Sequence, residues 1–230
     1  MNLPKLSKRL RCAAGFVRRD AYIADVGTDH AYLPIVLLAE GSICGGVVSD
    51  INEGPIERAR EHIRENGMED RLVARRCDGL SALGDDHPED IFILGMGGEL
   101  IARILNDAPW TKHPSIRLIL QPMTHPEALR AFLLGEGYAI VDEVLVEDDK
   151  IYQIICAEYS GIPERKPYSE LELLLGREPL RRGGPLTEAL LAHWQSVLSV
   201  RLAGKRGAGA DTSEEETLLK QIGEYQYDHS

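Results

Sequence analysis

Short apolar runs alternate with stretches of helical spacing along the first 160 residues. Tyr22–Val26 is an apolar run that ends at Gly27. From Ala31 to Glu40, Leu33, Val36, Leu37 and Leu38 offer a core face, and Gly41 stops the helix. Gly46–Asp50 predicts a second strand. Glu53–Asn66 carries Ile56, Ala59 and Ile63 on one helical stripe and ends at Gly67. Leu72–Ala74, Asp90–Leu94 and Arg117–Gln121 predict three more strands. Helices are expected over Glu99–Leu105 and Pro126–Leu134. Alternation at this spacing builds parallel βαβ units.

The rhythm then changes. Tyr138–Glu147 and Ile151–Glu158 are strand-like runs joined only by Asp148-Asp149-Lys150. A link that short permits only an antiparallel hairpin. Five parallel strands closed by a terminal hairpin resemble the layout of class I methyltransferases, an α/β Rossmann-like fold. After Gly161, prolines 163, 167, 179 and 185 punctuate an otherwise helical stretch. Leu186–Ala203 carries Leu186, Leu190, Trp194, Val197 and Val200 or Arg201 at helical spacing. Glu214–Tyr227 carries Leu218, Ile222 and Tyr225 in the same way. The segment between them, Gly204–Asp211, holds three glycines and is expected to be a loop. Two helices so joined form an antiparallel, coiled-coil-like αα-hairpin. Trp194 is read as packing inside it. The expected division is residues 1–160 as the sheet domain and 161–230 as a C-terminal helical domain.

Composition narrows the function class. The 230 residues are 43% hydrophobic, which suits a globular chain and excludes wholesale disorder. No apolar run is long enough to span a membrane and no secretory signal is visible, so a cytoplasmic protein is expected. Four cysteines (Cys12, Cys44, Cys77, Cys156) lie far apart, against both a zinc knuckle and a disulfide framework. The net charge of −11 is uneven: residues 1–19 carry +6, residues 20–160 carry −15 and residues 161–230 carry −2. Such a chain is not a general nucleic-acid binder, but a local basic arm can touch phosphates.

The chemistry-bearing residues gather at predicted strand ends. Strand one ends in Asp25-Val-Gly27-Thr-Asp29-His30, with a glycine where a tight turn brings backbone close to a ligand. Neither a G-x-G-x-x-G fingerprint nor a P-loop lysine follows, so the loop is not built for a pyrophosphate. Two carboxylates, Asp25 and Asp29, suit a cationic ligand such as S-adenosylmethionine. They are equally readable as helix caps. Asp50 ends the second strand, where an acid can accept both ribose hydroxyls of a nucleoside. Asp78 and Gly79 follow the third strand, and Gly95-Met96-Gly97-Gly98 ends the fourth. The acidic or Asn residue followed by Pro-Pro-aromatic of amino-group methyltransferases is absent there. An acceptor without a hydrogen, such as a ring nitrogen, fits that absence.

The segments GTDHAYLP (27–34), SDINEGP (49–55), CDGL (77–80), GMGGELI (95–101), ILQP (119–122) and KIYQII (150–155) together resemble one family. It is the bacterial tRNA adenine-N1 methyltransferases of the TrmK type, which act on adenine 22. The resemblance runs from Leu6 to about Ala157, and the trailing αα-hairpin is similar in general character to that family's C-terminal domain. It implies S-adenosyl-L-methionine as cofactor, tRNA as partner and no metal. It places Asp25 and Gly27 at the methionine end, and Asp50 on the ribose beside Ile51 and Asn52. Asp78 and Gly79 flank the adenine, while Gly95, Met96 and Gly97 line the cofactor. Asp29, His30 and Tyr32 face the acceptor as the catalytic set. Arg9 is assigned to the cofactor site and also counted among candidate phosphate contacts with Arg11, Arg18, Arg19, Arg181, Arg182, Lys205 and Arg206. Cys77 stands where that family more often has Gly. A methyltransferase of the same fold acting on a small molecule or protein, and a catalytically silent S-adenosylmethionine- or RNA-binding protein, remain the alternatives.

Overall fold

In the computed structural model the described residues are 3–28, 30–162 and 164–228. The chain divides into two compact units, Met1–Arg165 and Lys166–Ser230.

In the first unit the elements run in the order α1 (Lys8–Ala14), β1 (Ala21–Val26), α2 (Tyr32–Ala39), β2 (Ile43–Asp50), α3 (Glu53–Glu65), β3 (Leu72–Arg76), β4 (Asp90–Met96), α4 (Gly98–Asn106), β5 (Arg117–Pro122), α5 (Pro126–Gly135), β6 (Tyr138–Glu147) and β7 (Ile151–Tyr159). They form one seven-stranded sheet of order β3-β2-β1-β4-β5-β7-β6. Strands β1 to β5 pair in parallel, and β7 joins antiparallel to both β5 and β6. The expected strands are all present, and β2 starts three residues earlier than the apolar run suggested because Ile43 and Gly45 already pair with β1. A Cβ at Gly46 would sit 2.7 Å from the Ile23 carbonyl, so glycine is what lets β2 lie there.

Helices cover both faces. One apolar cluster joins Ala13 of α1, Leu33, Ile35 and Leu37 of α2 and Ile63 of α3 to one side of the sheet. The other joins Ile101 and Leu105 of α4 and Leu129 and Leu133 of α5 to the opposite side. This double cover is why the central strands read as unbroken apolar runs. Ile23, Ile91, Phe92 and Ile119 are fully buried, each contributing about 1.5–3 kcal/mol. Strand order reverses between β1 and β4, the place where open parallel sheets leave a ligand crevice.

The basic N-terminal arm is fastened to the sheet. Arg18 donates from its backbone N and its Nε to the buried Asp90 carboxylate, both at 2.6 Å, and from Nη2 to the carbonyls of Glu89 and Ser115. That removes Arg18 from the candidate phosphate contacts, because breaking its bonds would strand a buried charge. Arg11 pairs with Glu40 at the surface. Under α5 and the hairpin, buried Arg130 donates to Glu143 at 2.6 Å and to Gln153 at 2.7 Å.

The second unit contains α6 (Glu170–Leu175), α7 (Arg177–Arg182), α8 (Pro185–Ala208) and α9 (Ser213–Asp228). Ser169 and Glu172 form a capping box at the start of α6. Two expectations are corrected. The glycine-bearing segment is not a loop: α8 runs through Gly204 and Gly207 and ends only at Gly209, whose φ of 66° makes the left-handed stop. Lys205 pairs with Glu215 and Arg206 with Glu216 of α9, which holds this last turn helical. The buried stripe of α8 is Thr187, Leu190, Leu191 and Leu198, while Val200 is exposed, so the face is rotated from the expected one. On α9, Leu218 and Ile222 are buried and Tyr225 donates to the Leu180 carbonyl at 2.7 Å.

Candidate active site

The loop after β1 is stitched to β2. The amides of Gly27 and Thr28 both donate to the Ser49 carbonyl, at 2.8 and 3.0 Å. Gly27 has φ of 77°, and a Cβ there would run into the Met96 methyl. This contact brings the ends of β1 and β4 together and explains why the position is glycine. Thr28 Oγ1 accepts from the Ala31 amide at 3.0 Å and so caps α2, whose own cap residue Ala31 is left-handed with no side-chain bond to give. Asp29, expected to be catalytic, lies outside the described residues.

Asp25 sits on β1 between β2 and β4, 7% exposed. Burial pushes its carboxyl up to about 6, with a hydrogen bond from Thr28 opposing. Near neutral pH it is mostly ionised yet desolvated, a negative charge at the switch point that a bound cation would stabilise.

Arg9 comes from α1, 86 residues before Gly95 in the chain, yet its guanidinium lies at the end of β4. A Cβ on Gly95 (φ 81°) would sit 3.7 Å from Arg9 Nη1. Nη1 donates to the Gln121 side chain at 2.6 Å, and the guanidinium lies 5.3 Å from the Tyr152 ring centroid. The Arg9 amide donates to Asp148 at 3.3 Å in the β6–β7 turn. Gln121 is itself buried and donates to the Pro122 carbonyl. Arg9 is therefore placed beside Gly95 at the end of β4 rather than left as a free surface cation.

The loop after β4 is tied to the loop after β5. Gly98 N donates to the Thr124 carbonyl and Met123 N to the Met96 carbonyl, each at 2.7 Å. A Cβ on Gly98 would overlap the His125 carbonyl, and one on Gly97 would come within 3.2 Å of Thr124 Oγ1. The glycines thus serve close backbone packing as well as access.

Asp50 ends β2, beside Arg76 of β3. Its Oδ1 accepts from the Asn52 amide at 2.7 Å, which forms the turn into α3 and leaves Oδ2 for another partner. Ile51 is 54% exposed next to it, and its carbonyl accepts from Arg76 Nε. Asp78 is exposed after β3. Gly79 has φ of 53°, and a Cβ there would press on Ile104 of α4 at 3.0 Å, so its first duty is helix–loop packing. Cys77 donates its thiol to the Gly79 carbonyl at 3.4 Å and packs against the second apolar cluster.

His30 and Tyr32, which the resemblance implies face the acceptor, stack with centroids 4.9 Å apart and planes 17° apart. A third ring, which the sequence does not announce, completes the group. His62 of α3 lies 5.2 Å from both, and its Nδ1 is 3.0 Å from the His30 carbonyl. Gln121 and Tyr152, the holders of Arg9, were not anticipated either. Their motifs, ILQP and KIYQII, are visible in the sequence, but the contacts span 112 and more residues. Among the described residues no group of three or more His, Cys, Asp or Glu could hold a metal ion, and no helix is long and apolar enough to cross a membrane.

Comparison with known proteins matches residues 6–155 to a family described as a methyltransferase domain. A Bacillus subtilis tRNA (adenine(22)-N(1))-methyltransferase is 38% identical over 159 residues, 69% of this chain and 67% of that protein. A Streptococcus pneumoniae structure in complex with S-adenosyl-L-methionine has a TM-score of 0.81 at 30% identity, covering 94% of this chain and 100% of its own. The M. capricolum TrmK structure in complex with S-adenosyl-homocysteine has a TM-score of 0.81 at 25% identity, covering 96% and 97%.

Proposed function

The chain belongs to the tRNA (adenine(22)-N(1))-methyltransferase family, and from that membership we propose how its residues methylate N1 of adenine 22 in tRNA. S-adenosyl-L-methionine supplies, when bound, an electrophilic methyl on a sulfonium. The observation that carries the reading is the convergence at the switch point. A buried acid (Asp25) and the positive-φ Gly27 stand at the end of β1, and the positive-φ Gly95 with the Arg9 guanidinium stands at the end of β4, on either side of the strand-order reversal. That set fits an amino-acid moiety: Arg9 faces its carboxylate, and Asp25 answers its positive charge. The free Oδ2 of Asp50 takes the ribose, with Ile51 and Asn52 beside it. Asp78 and the backbone at Gly79 meet the adenine edge, and Gly95, Met96 and Gly97 line the pocket.

Adenine N1 already has a lone pair, so no base needs to remove a proton before attack. The enzyme's work is alignment and charge. Alignment of reacting atoms lowers barriers by up to roughly 7–11 kcal/mol. We assign Asp29 to the adenine amine, where a carboxylate enriches N1 and offsets the positive charge that develops on the base. A well-placed group of this kind contributes about 3–4 kcal/mol. His30 and Tyr32 form the wall on which the flipped base stacks. The N-terminal arm and the C-terminal helices supply phosphate contacts. Arg19 is largely exposed, while Arg181, Arg182, Lys205 and Arg206 are paired with nearby acids that a phosphate can replace. A tRNA substrate and S-adenosyl-L-methionine support the cytoplasm as the proposed location of the enzyme.

Labelled S-adenosyl-L-methionine, the purified protein and total bacterial tRNA test this directly. Label should appear as N1-methyladenosine at position 22. Label on another nucleoside, or on none, would refute the assignment.

A further inference from the structure

A small pocket adjoins the acceptor wall and contains none of the residues assigned to the cofactor. Tyr32 and Ile35 of α2 line one side, His62, Glu65 and Asn66 at the end of α3 line the other, and Pro4 closes it. The polar groups here share one character. A carbonyl oxygen only accepts, so His62 Nδ1 donates to His30, and in the neutral ring Nε2 is an acceptor. Asn66 Nδ2 donates to the His62 carbonyl at 2.9 Å, which orients the amide and leaves Oδ1 as an acceptor. The Glu65 carboxylate is exposed and only accepts. The C-terminal end of a helix adds partial negative charge. Two rings, Tyr32 and His62, stand 5.2 Å apart at the rim.

Acceptors beside rings suit a flat, π-bearing ligand whose edge is rich in N–H donors. Adenine, cytosine and guanine carry an exocyclic amine, and uracil does not. We propose that this pocket is a second nucleobase subsite, which takes an amine-bearing base of the RNA that flanks the methylated adenine. The proposal rests on the tRNA methyltransferase reading above. Tyr32 belongs to both sites, so a base seated here would brace the wall that the acceptor stacks on. His62 is the link. It faces the flanking base and holds the acceptor loop through the His30 carbonyl.

Two experiments decide it. In steady-state methylation of tRNA, Glu65→Gln should raise KM for tRNA about three- to tenfold, the effect of weakening a hydrogen bond to a charged group. Its kcat and cofactor affinity should stay within about twofold. An unchanged KM would overturn the subsite. In the second, protein with ¹⁵N-labelled histidine, saturated with S-adenosyl-homocysteine, is titrated with CMP, GMP and UMP. The His62 ring signals should move with CMP and GMP and stay put with UMP. An equal response to UMP, or no response to any of the three, would overturn the base assignment. A wild-type enzyme that methylates no tRNA would instead remove the reading underneath. A methylating wild type with an indifferent Glu65→Gln removes only the subsite.

Discussion

Asp25 shows what burial does to one side chain. Its carboxyl is raised from 3.8 to about 6 by desolvation. Below about pH 4 both folded and unfolded chains keep the proton, and the site costs nothing. As the pH rises toward 6, the unfolded chain gives up its proton while the folded one holds it, so stability falls and then levels off above about 6. The loss is on the order of 3 kcal/mol, because each tenfold change in proton affinity is worth about 1.4 kcal/mol. Asp25→Asn should therefore gain stability relative to wild type between pH 4 and pH 7, read from thermal melts across that range. Ligand binding should run the opposite way. A cationic cofactor favours the ionised carboxylate, so calorimetry should show affinity for S-adenosyl-L-methionine rising from pH 5 to 7 with a proton released. In Asp25→Asn both the slope and the release should vanish. Identical pH profiles for the two proteins would take Asp25 out of the cofactor site. The type and place of this acid were legible in the sequence, because Asp-x-Gly after an apolar run is local. Its near-total burial was not, since that depends on β2 and β4 arriving on either side. His62 was illegible for the same reason: nothing in the spacing of α3 reveals a ring contact 30 residues back.

At the level of elements, the strands and helices of the first unit were readable because each strand is an apolar run bounded by glycine or a charged residue. The hairpin was readable from a three-residue link. The end of α8 was not. Three glycines in six positions argue for a loop on propensity alone, yet the pairs Lys205–Glu215 and Arg206–Glu216 carry the helix through two of them. The conflict makes a prediction. A Cβ at Gly204 or Gly207 meets nothing within 4 Å. Gly204→Ala and Gly207→Ala should each stabilise the helical unit by about 1 kcal/mol, seen as a higher melting temperature with helicity retained. Destabilisation by both would mean that the segment is a turn after all. The face of α8 was misread by the same local logic. Val200 looks like a core residue by spacing, but Leu198 holds the buried place.

For the whole molecule, the proposed division of labour between the two units is tested by separating them. A chain ending at Arg165 keeps the entire sheet, both apolar clusters and every cofactor residue assigned above. It should bind S-adenosyl-L-methionine as the full chain does and lose most of its affinity for tRNA. Binding of tRNA by the full chain should weaken steeply with salt, because each phosphate contact releases counterions. Equal tRNA binding by the shortened chain would show that the helices contribute nothing. The fastening of α1 bears on how the protein is made. The ribosome delivers Arg9 and Arg18 first, but their partners Asp90, Gln121 and Asp148 emerge only later. Helix α1 can meet α2 and Glu40 early, but the seats of Arg9 and Arg18 are missing during most of translation, and such long-range closure is slow. The nascent chain has to hold a basic, amphipathic segment in waiting until the hairpin has left the exit tunnel. Competence to bind the cofactor then comes as a late, all-at-once event of synthesis.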